Sequence, residues 1–201
     1  MAGDIAHGNH QHDTNTGIDN TKLGFWVFLS SECVFFAILL VGYLAYRGTF
    51  LEGPTPRELF NVTLTTISTF VLLMSSLAMA LAVHHAHHDE AAKARRWVLI
   101  TALMGLFFLG FQVYEFVHFA SLGLGLGTSP FASGFYVLTG FHGLHVAIGV
   151  FWLLSVWFYG ASSPLGAENA LGVEIAGLYW HFVDIVWIVL FTVVYLLPEV
   201  R

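Results

Sequence analysis

Four ionisable side chains lie in the middle of long apolar segments, where a lipid bilayer makes a charge costly. They are Glu32, Glu115, His181 and Asp184. Carboxylates and imidazoles at such depth can handle protons or ligate metals, and they then face a bundle interior, a partner subunit or a water path. A structural hydrogen bond between neighbouring helices is the other interpretation. The residue types alone leave both open.

The composition indicates an integral membrane protein. Of the 201 residues, 57% are hydrophobic and only 10% are charged, which leaves too little polar surface for an ordinary water-soluble domain. The formal net charge of −6 comes mostly from acidic residues outside the apolar segments, and no basic patch indicates a nucleic-acid partner. The single cysteine, Cys33, follows Glu32 in an apolar segment, where a lone thiol is typical of a small buried hydrophobe.

Five segments are long enough to cross a hydrocarbon core, which takes roughly 20 helical residues. Their apolar residues lie around the whole circumference, which indicates helices rather than the alternating strands of a barrel. The predicted fold is therefore all-α, a polytopic membrane protein with a bundle of five transmembrane helices in one domain, 22–201. A disordered polar tail, 1–21, is predicted to precede it and contains His7, His10 and His12. The predicted spans are 23–46, 60–83, 97–119, 131–159 and 173–197.

The basic residues predict the orientation of the bundle. Lys93, Arg95 and Arg96 form a cluster beside Trp97, and such clusters favour the cytoplasmic side. The N-terminus is therefore expected in the cytoplasm and the C-terminus outside. The links 48–59 and 120–130 are expected on the outer face.

Several polar residues are expected at a similar depth, because a helix rises about 1.5 Å per residue. His181 and Asp184 also share one face of the fifth helix and can interact directly. Small residues at positions 140, 143 and 149 would let a neighbouring helix approach the histidines of the fourth helix. We therefore predict a buried polar layer that joins the first, fourth and fifth helices. Its members are Glu32, His142, His145, His181 and Asp184.

A second polar stripe is predicted along the outer half of the third helix. It consists of Gln112, Glu115 and His118, whose spacing of three keeps them on one side. Glu115 and His118 form a Glu-x-x-His pair, which is one part of the ligand pattern of di-iron helical bundles. That pattern needs a second copy and two further carboxylates, so no redox metal is predicted in this chain.

A run of histidines at the inner end of the second helix invites another metal interpretation. Membrane di-iron enzymes use histidine boxes near the cytoplasmic face, but this cluster is isolated from the deeper histidines. Asp89 and Glu90 follow it directly, which is typical of a solvated helix end. The run is His84, His85, His87 and His88.

Motifs on all five helices resemble subunit III of the haem-copper terminal oxidases, in the same order along the chain. The resemblance extends from Leu23 to the C-terminus. Weaker matches lie at Gly105–Glu115 and at the His84–His85 pair. The strongest are Leu178–Trp187 with Phe191–Leu196 on the fifth helix, Thr139–His145 on the fourth and Phe28–Phe36 on the first.

This resemblance implies a non-catalytic subunit of a proton-pumping cytochrome c oxidase, an oxidoreductase and translocase of aerobic respiratory electron transport. It implies no cofactor in this chain, with haem and copper held by partner subunits. Subunit I is the expected direct partner, with subunit II, a small subunit IV, membrane lipids and a bound phospholipid as further ones. Cytochrome c would donate electrons to the complex and not to this chain. Glu32 matches the family's membrane-buried carboxylate, which is linked to proton uptake.

The sequence lacks the first two helices of the family's seven-helix form. This short form implies a multi-pass protein of the bacterial plasma (inner) membrane. It occurs in both cytochrome c and quinol oxidases, and Glu32 with the His84–His85 pair favours cytochrome c, so a quinol oxidase subunit III is the alternative. A stand-alone di-iron enzyme would require bound iron, and an independent proton channel would require conductance.

Overall fold

The computed structural model describes residues 20–47 and 62–197. Within these ranges the chain forms five helices that are long and apolar enough to span a membrane. A 3-10 turn, Ala167–Asn169, precedes the last helix, and a π-helical turn, Thr192–Leu196, continues it. The predicted all-α five-helix membrane fold is confirmed. The helices are α1 (Asn20–Ala45), α2 (Val62–His87), α3 (Ala91–Ser121), α4 (Pro130–Tyr159) and α5 (Ala170–Phe191).

The helices extend beyond several of the predicted spans. α2 continues to His87 rather than ending at Val83, and α3 begins at Ala91 rather than at Trp97. The predicted spans end where the apolar sequence gives way to polar and charged residues. The helices continue through these residues, because polar side chains are compatible with a helix where it emerges from the membrane. Asp89 makes the tight turn between α2 and α3 with a φ of 58°.

Two predicted segments lie mainly outside the described residues. Of the predicted tail 1–21, only Asn20 and Thr21 are described, and they begin α1. The link 48–59 is also outside the described ranges. The division into a tail and a membrane domain therefore stays a prediction, as does the orientation of the termini.

Four of the helices form a ring. α2 packs against α3, α3 against α4, α4 against α5, and α5 against α2. α1 lies outside this ring against α4 and α5, and it is the least buried of the five spans, whereas α5 is the most buried. Polar residues of α1 can therefore meet α4 and α5 while remaining close to the outer surface of the bundle.

Trp180 of α5 lies at the centre of the ring. Its indole packs against Gly105 of α3 and Gly149 of α4, and a Cβ atom at either position would collide with the indole. Trp180 Nε1 donates a hydrogen bond to Ser75 Oγ of α2 at 2.9 Å. One side chain thus contacts the other three helices of the ring and sets their spacing.

Candidate functional site in the membrane spans

Glu32 and His145 meet across the contact between α1 and α4, near the middle of the length of each helix. Glu32 Oε2 lies 3.2 Å from His145 Nε2. His145 Nδ1 donates to the carbonyl oxygen of Phe141 at 2.7 Å, so a neutral imidazole has only a lone pair at Nε2. The hydrogen bond therefore needs one more proton, carried either by the carboxyl group or by the imidazole. Glu32 and His145 are therefore arranged to share one proton across the contact between α1 and α4.

This pair lies close to the bundle surface. The side chains of His145 and Glu32 are 13% and 21% exposed. Phe36 packs edge-on against the imidazole, with ring centroids 4.9 Å apart, and Tyr179 donates from its hydroxyl to the backbone oxygen of His145 at 3.1 Å. These contacts hold His145 in place, while both side chains of the pair keep part of their surface exposed.

His142 and His181 each contact other groups. His142 is fully buried, its Nε2 lies 3.3 Å from the backbone oxygen of Val183, and its ring packs on Trp187 with centroids 4.8 Å apart. His181 Nδ1 lies 2.6 Å from Ser76 Oγ of α2. Both histidines therefore make contacts between helices of the ring.

Asp184 is buried beside Ser76, and neither of its carboxylate oxygens has a hydrogen-bond partner of ordinary geometry within the described protein. The Ser76 hydroxyl hydrogen-bonds His181 instead. His181 and Asp184 thus share Ser76 as a neighbour and are not hydrogen-bonded to each other. Of the five residues of the predicted buried layer, the structure joins Glu32 to His145. It places the other three in separate contacts.

Glu115 of the outer stripe joins three elements. Tyr195, on the π-helical turn, donates from its hydroxyl to Glu115 Oε2 at 2.8 Å, and Thr65 Oγ1 of α2 donates to Oε1 at 3.2 Å. Sequence reasoning missed both donors. A stripe of polar residues on α2, with Thr65, Thr69 and Ser76 at helical spacing, was the available signal.

The other two residues of the outer stripe have different surroundings. Gln112 is buried and donates from Nε2 to the backbone oxygen of Thr139 at 2.6 Å. It crosses α4 above Gly143, where a Cβ atom would lie 2.5 Å from Gln112 Oε1. His118 is exposed and stacks in parallel with Tyr114, with centroids 6.1 Å apart. The stripe therefore has two inward residues and one outward residue.

The histidine run lies among charged groups at the end of α2. His85 Nδ1 is hydrogen-bonded to Glu90 Oε2, and Lys93 Nζ contacts Glu90 Oε1 at 2.6 Å. These hydrogen bonds hold the pKa of Glu90 below its usual value of 4.5, and the one from Lys93 has the larger effect. His87 Nε2 lies 3.5 Å from Glu174, which also pairs with a lysine of α1. The contacts are those of a polar helix end.

Across the residues that the structure describes, no group of three or more histidine, cysteine or acidic side chains is arranged to hold a metal ion. The absence of a redox metal from the whole chain stays a prediction.

The family model of cytochrome c oxidase subunit III matches residues 2–198. The chain belongs to this family. It is 43% identical over 181 residues to cytochrome c oxidase subunit 3 of Bacillus sp. (strain PS3), covering 90% of this chain and 87% of that protein. It is 41% identical over 195 residues to quinol oxidase subunit 3 of Bacillus spizizenii, covering 95% of each. It is also 41% identical over 202 residues to cytochrome c oxidase subunit 3 of Alkalihalophilus pseudofirmus, covering 98% of each. The resemblance seen in the motifs is confirmed, and the chain is a subunit III of the haem-copper oxidases.

Proposed function

We propose that this chain is the non-catalytic subunit III of a proton-pumping cytochrome c oxidase in a bacterial plasma membrane. It packs directly against subunit I and supports proton uptake, while haem and copper are bound by the partner subunits. The Glu32–His145 pair is the observation that carries the proposal beyond family membership, because a carboxyl group and an imidazole lie 3.2 Å apart within two apolar helices.

The position of the pair supports a role at an interface. A partly exposed carboxyl group facing only lipid chains would be costly, so a partner subunit or a water path is expected beside it. The exposed face of α1 is otherwise apolar, with Val34, Ile38 and Val41 all more than half exposed. We expect subunit I to cover this region and protons to reach Glu32 there.

The electron donor is proposed from two sequence features. Relatives named as cytochrome c oxidase and as quinol oxidase subunits match the chain at 43% and 41% identity, so they favour neither donor. Glu32 and the His84–His85 pair favour cytochrome c. Turnover of the purified complex with reduced cytochrome c would support this choice, whereas turnover with a quinol alone would contradict it.

Two substitutions of Glu32 separate its structural role from its role in proton handling. Glu32→Gln keeps a hydrogen-bonding group for His145, so we expect the subunit to assemble normally but the oxidase to take up protons more slowly or to lose activity sooner during turnover. Glu32→Leu leaves the partly buried His145 without its partner, at a cost of about 1–3 kcal/mol, so we expect weaker retention of the subunit.

The measurements are the amount of subunit retained after purification and the loss of activity per turnover. Cys33→Ser is the matched control, because Cys33 is the exposed neighbour on the same helix. Normal retention and normal lifetime in both Glu32 variants would contradict the proposed role of the pair. Stoichiometric iron or copper in the isolated, folded subunit would contradict the non-catalytic role.

A further inference from the structure

Asp184 of α5 has a carboxyl group for which the described protein supplies no hydrogen-bond donor of ordinary geometry. The residue is 3% exposed, and both carboxyl oxygens are enclosed. Among the described residues no basic side chain forms an ion pair with it. An isolated carboxylate in such surroundings is costly and takes up a proton instead. The neutral acid, which has a proton of its own to donate, is the form that fits this position.

Ser76 of α2 lies beside Asp184 and also contacts His181. Its Oγ lies 2.6 Å from His181 Nδ1, and its hydroxyl is the polar group next to the carboxyl group of Asp184. His181 and Asp184 are three residues apart on α5 and so share one face of the helix. A hydroxyl donates one hydrogen and accepts at its lone pairs, so Ser76 can accept from Asp184 while it donates to His181. The three side chains can thus form one chain of hydrogen bonds.

His181 connects this chain to the surface of the bundle. The residue is half-buried, and Ile185, one turn further along the same face, is 61% exposed. His181 Nε2 makes no hydrogen bond with the described residues and is not enclosed by them. When Nδ1 accepts from Ser76, a neutral imidazole carries its hydrogen on Nε2. The nitrogen that holds the hydrogen is therefore the one that reaches the surface.

Other ionisable side chains that pack near α5 have contacts of their own. Glu32 of α1 and His145 of α4 lie 3.2 Å apart and pair with each other. His142 of α4 has its Nε2 3.3 Å from the backbone oxygen of Val183. Within the described residues, the Ser76 hydroxyl is therefore the group that connects Asp184 to a second ionisable side chain.

We propose that Asp184 is a buried proton-binding site, separate from the Glu32–His145 pair, whose proton enters and leaves through Ser76 and His181. On release, the proton of Asp184 moves to Ser76 Oγ, the hydroxyl hydrogen of Ser76 moves to His181 Nδ1, and His181 Nε2 gives its hydrogen to a water molecule at the bundle surface. Asp184 is left as a carboxylate, and His181 stays neutral with its hydrogen on the other nitrogen. Uptake reverses these steps, so water need not reach Asp184.

Infrared spectroscopy of the chain, purified from its native membranes with its bound partners, tests the proposed site. A carboxylic acid has a carbonyl stretching band that is separate from the bands of a carboxylate. We expect an acid band at neutral pH that is missing from Asp184→Asn and that shifts after transfer to D₂O, because the acid proton exchanges for deuterium. An assembled Asp184→Asn protein that has lost no acid band would overturn the proposal.

Two substitutions test the route without altering Asp184. Ser76→Ala removes the hydroxyl, and His181→Phe removes the ring nitrogens. Each should slow the deuterium exchange of the acid band about tenfold, which corresponds to about 1.4 kcal/mol in the barrier. Ser68→Ala is the control for the first, because Ser68 is a buried serine of α2 that bonds its own helix. His118→Phe is the control for the second, because His118 is exposed on α3.

Ser76→Ala also identifies the band if Asp184→Asn does not assemble. The acid loses its hydrogen-bond acceptor in this variant, so its carbonyl band should shift to higher frequency, whereas Ser68→Ala should leave the band in place. An unshifted band in Ser76→Ala would overturn the proposal. Exchange as fast in Ser76→Ala and His181→Phe as in their controls would show that the proton leaves by another route, and it would overturn the proposal as well.

Discussion

At the scale of single residues, Gln112 reaches its partner because the residue it crosses has no side chain. A Cβ atom at Gly143 would meet the Gln112 amide, whereas at Gly140, one turn earlier on α4, the nearest atom lies 3.9 Å away in Phe116. Of these two glycines of α4, only Gly143 is needed to make room for a side chain of α3. The glycine spacing in the sequence predicted a close approach, but it did not identify the group that approaches.

Gly143→Ala should destabilise the protein, because the new methyl group displaces the Gln112 amide from the backbone oxygen of Thr139. The lost buried hydrogen bond costs about 1–3 kcal/mol. Gly140→Ala is the matched control and should be neutral or slightly stabilising, since alanine favours a helix over glycine by roughly 0.5–1 kcal/mol. The thermal midpoint of subunit dissociation measures both. Equal midpoints for the two variants would contradict this account of Gln112.

Glu90 gives a pH-dependent contribution at the polar end of the bundle. Its pKa is lowered from 4.5 by hydrogen bonds from Lys93 and His85, so the folded state favours the carboxylate. A lowered pKa stabilises the fold above the unfolded value and loses that effect as the pH falls through the folded value. Glu90→Gln should therefore reduce the thermal midpoint at neutral pH, and the difference from the unsubstituted protein should shrink as the pH falls below 4.5 and vanish once the pH is below the lowered pKa of Glu90.

The control for Glu90→Gln is Glu168→Gln, because Glu168 is exposed and makes no ion pair with the described residues. Both midpoints are measured over the same pH series. A constant difference between Glu90→Gln and the unsubstituted protein, down to the lowest pH, would show that the Lys93 and His85 contacts do not act through the charge of Glu90.

At the scale of elements, α5 organises the bundle through its large side chains. Trp180 needs space on α3, which Gly105 provides, and Gly110 further along α3 has no atom within 4 Å of its Cβ position. Gly105→Ala should push Trp180 away from Ser75 and weaken the packing of α5, by about 1–3 kcal/mol for an overpacked core. Gly110→Ala should not destabilise the protein. Tryptophan fluorescence and the thermal midpoint report both effects, and unchanged values for Gly105→Ala would contradict the role of Trp180 as a spacer.

The five spans were predictable because each is a long apolar run, and lipid permits few alternatives to a helix. The outer position of α1 was not predictable, since all five runs are apolar around their circumference. The contact between Glu115 and Tyr195 was also missed. It depends on the π-helical turn after Phe191, which sets the direction of the Tyr195 side chain. The hydrophobic pattern of the sequence does not distinguish this turn from a continuing α-helix. Counting residues along each helix predicted that Glu32 and His145 lie at a similar depth in the membrane. It could not show which polar side chains face each other.

At the scale of the whole molecule, the orientation in the membrane is a prediction from the basic cluster that begins α3. Lys93→Cys places a label near the start of α3, and Gly125→Cys places one just beyond its end. Each is made in a Cys33→Ser background, because Cys33 is exposed and would otherwise be labelled too. Position 93 should react with a membrane-impermeant reagent only from the cytoplasm, and position 125 only from outside. The opposite pattern would invert the predicted topology.

The central claim is that this chain works as an oxidase subunit and not alone. Affinity purification of the tagged chain from its native membranes in mild detergent, followed by an absorption spectrum and identification of the bound proteins, tests it most directly. We predict that a haem-bearing subunit I is recovered in equal amount with the chain, that the sample shows a reduced haem spectrum, and that it consumes oxygen. Recovery of the intact chain without any haem-bearing partner would contradict the account.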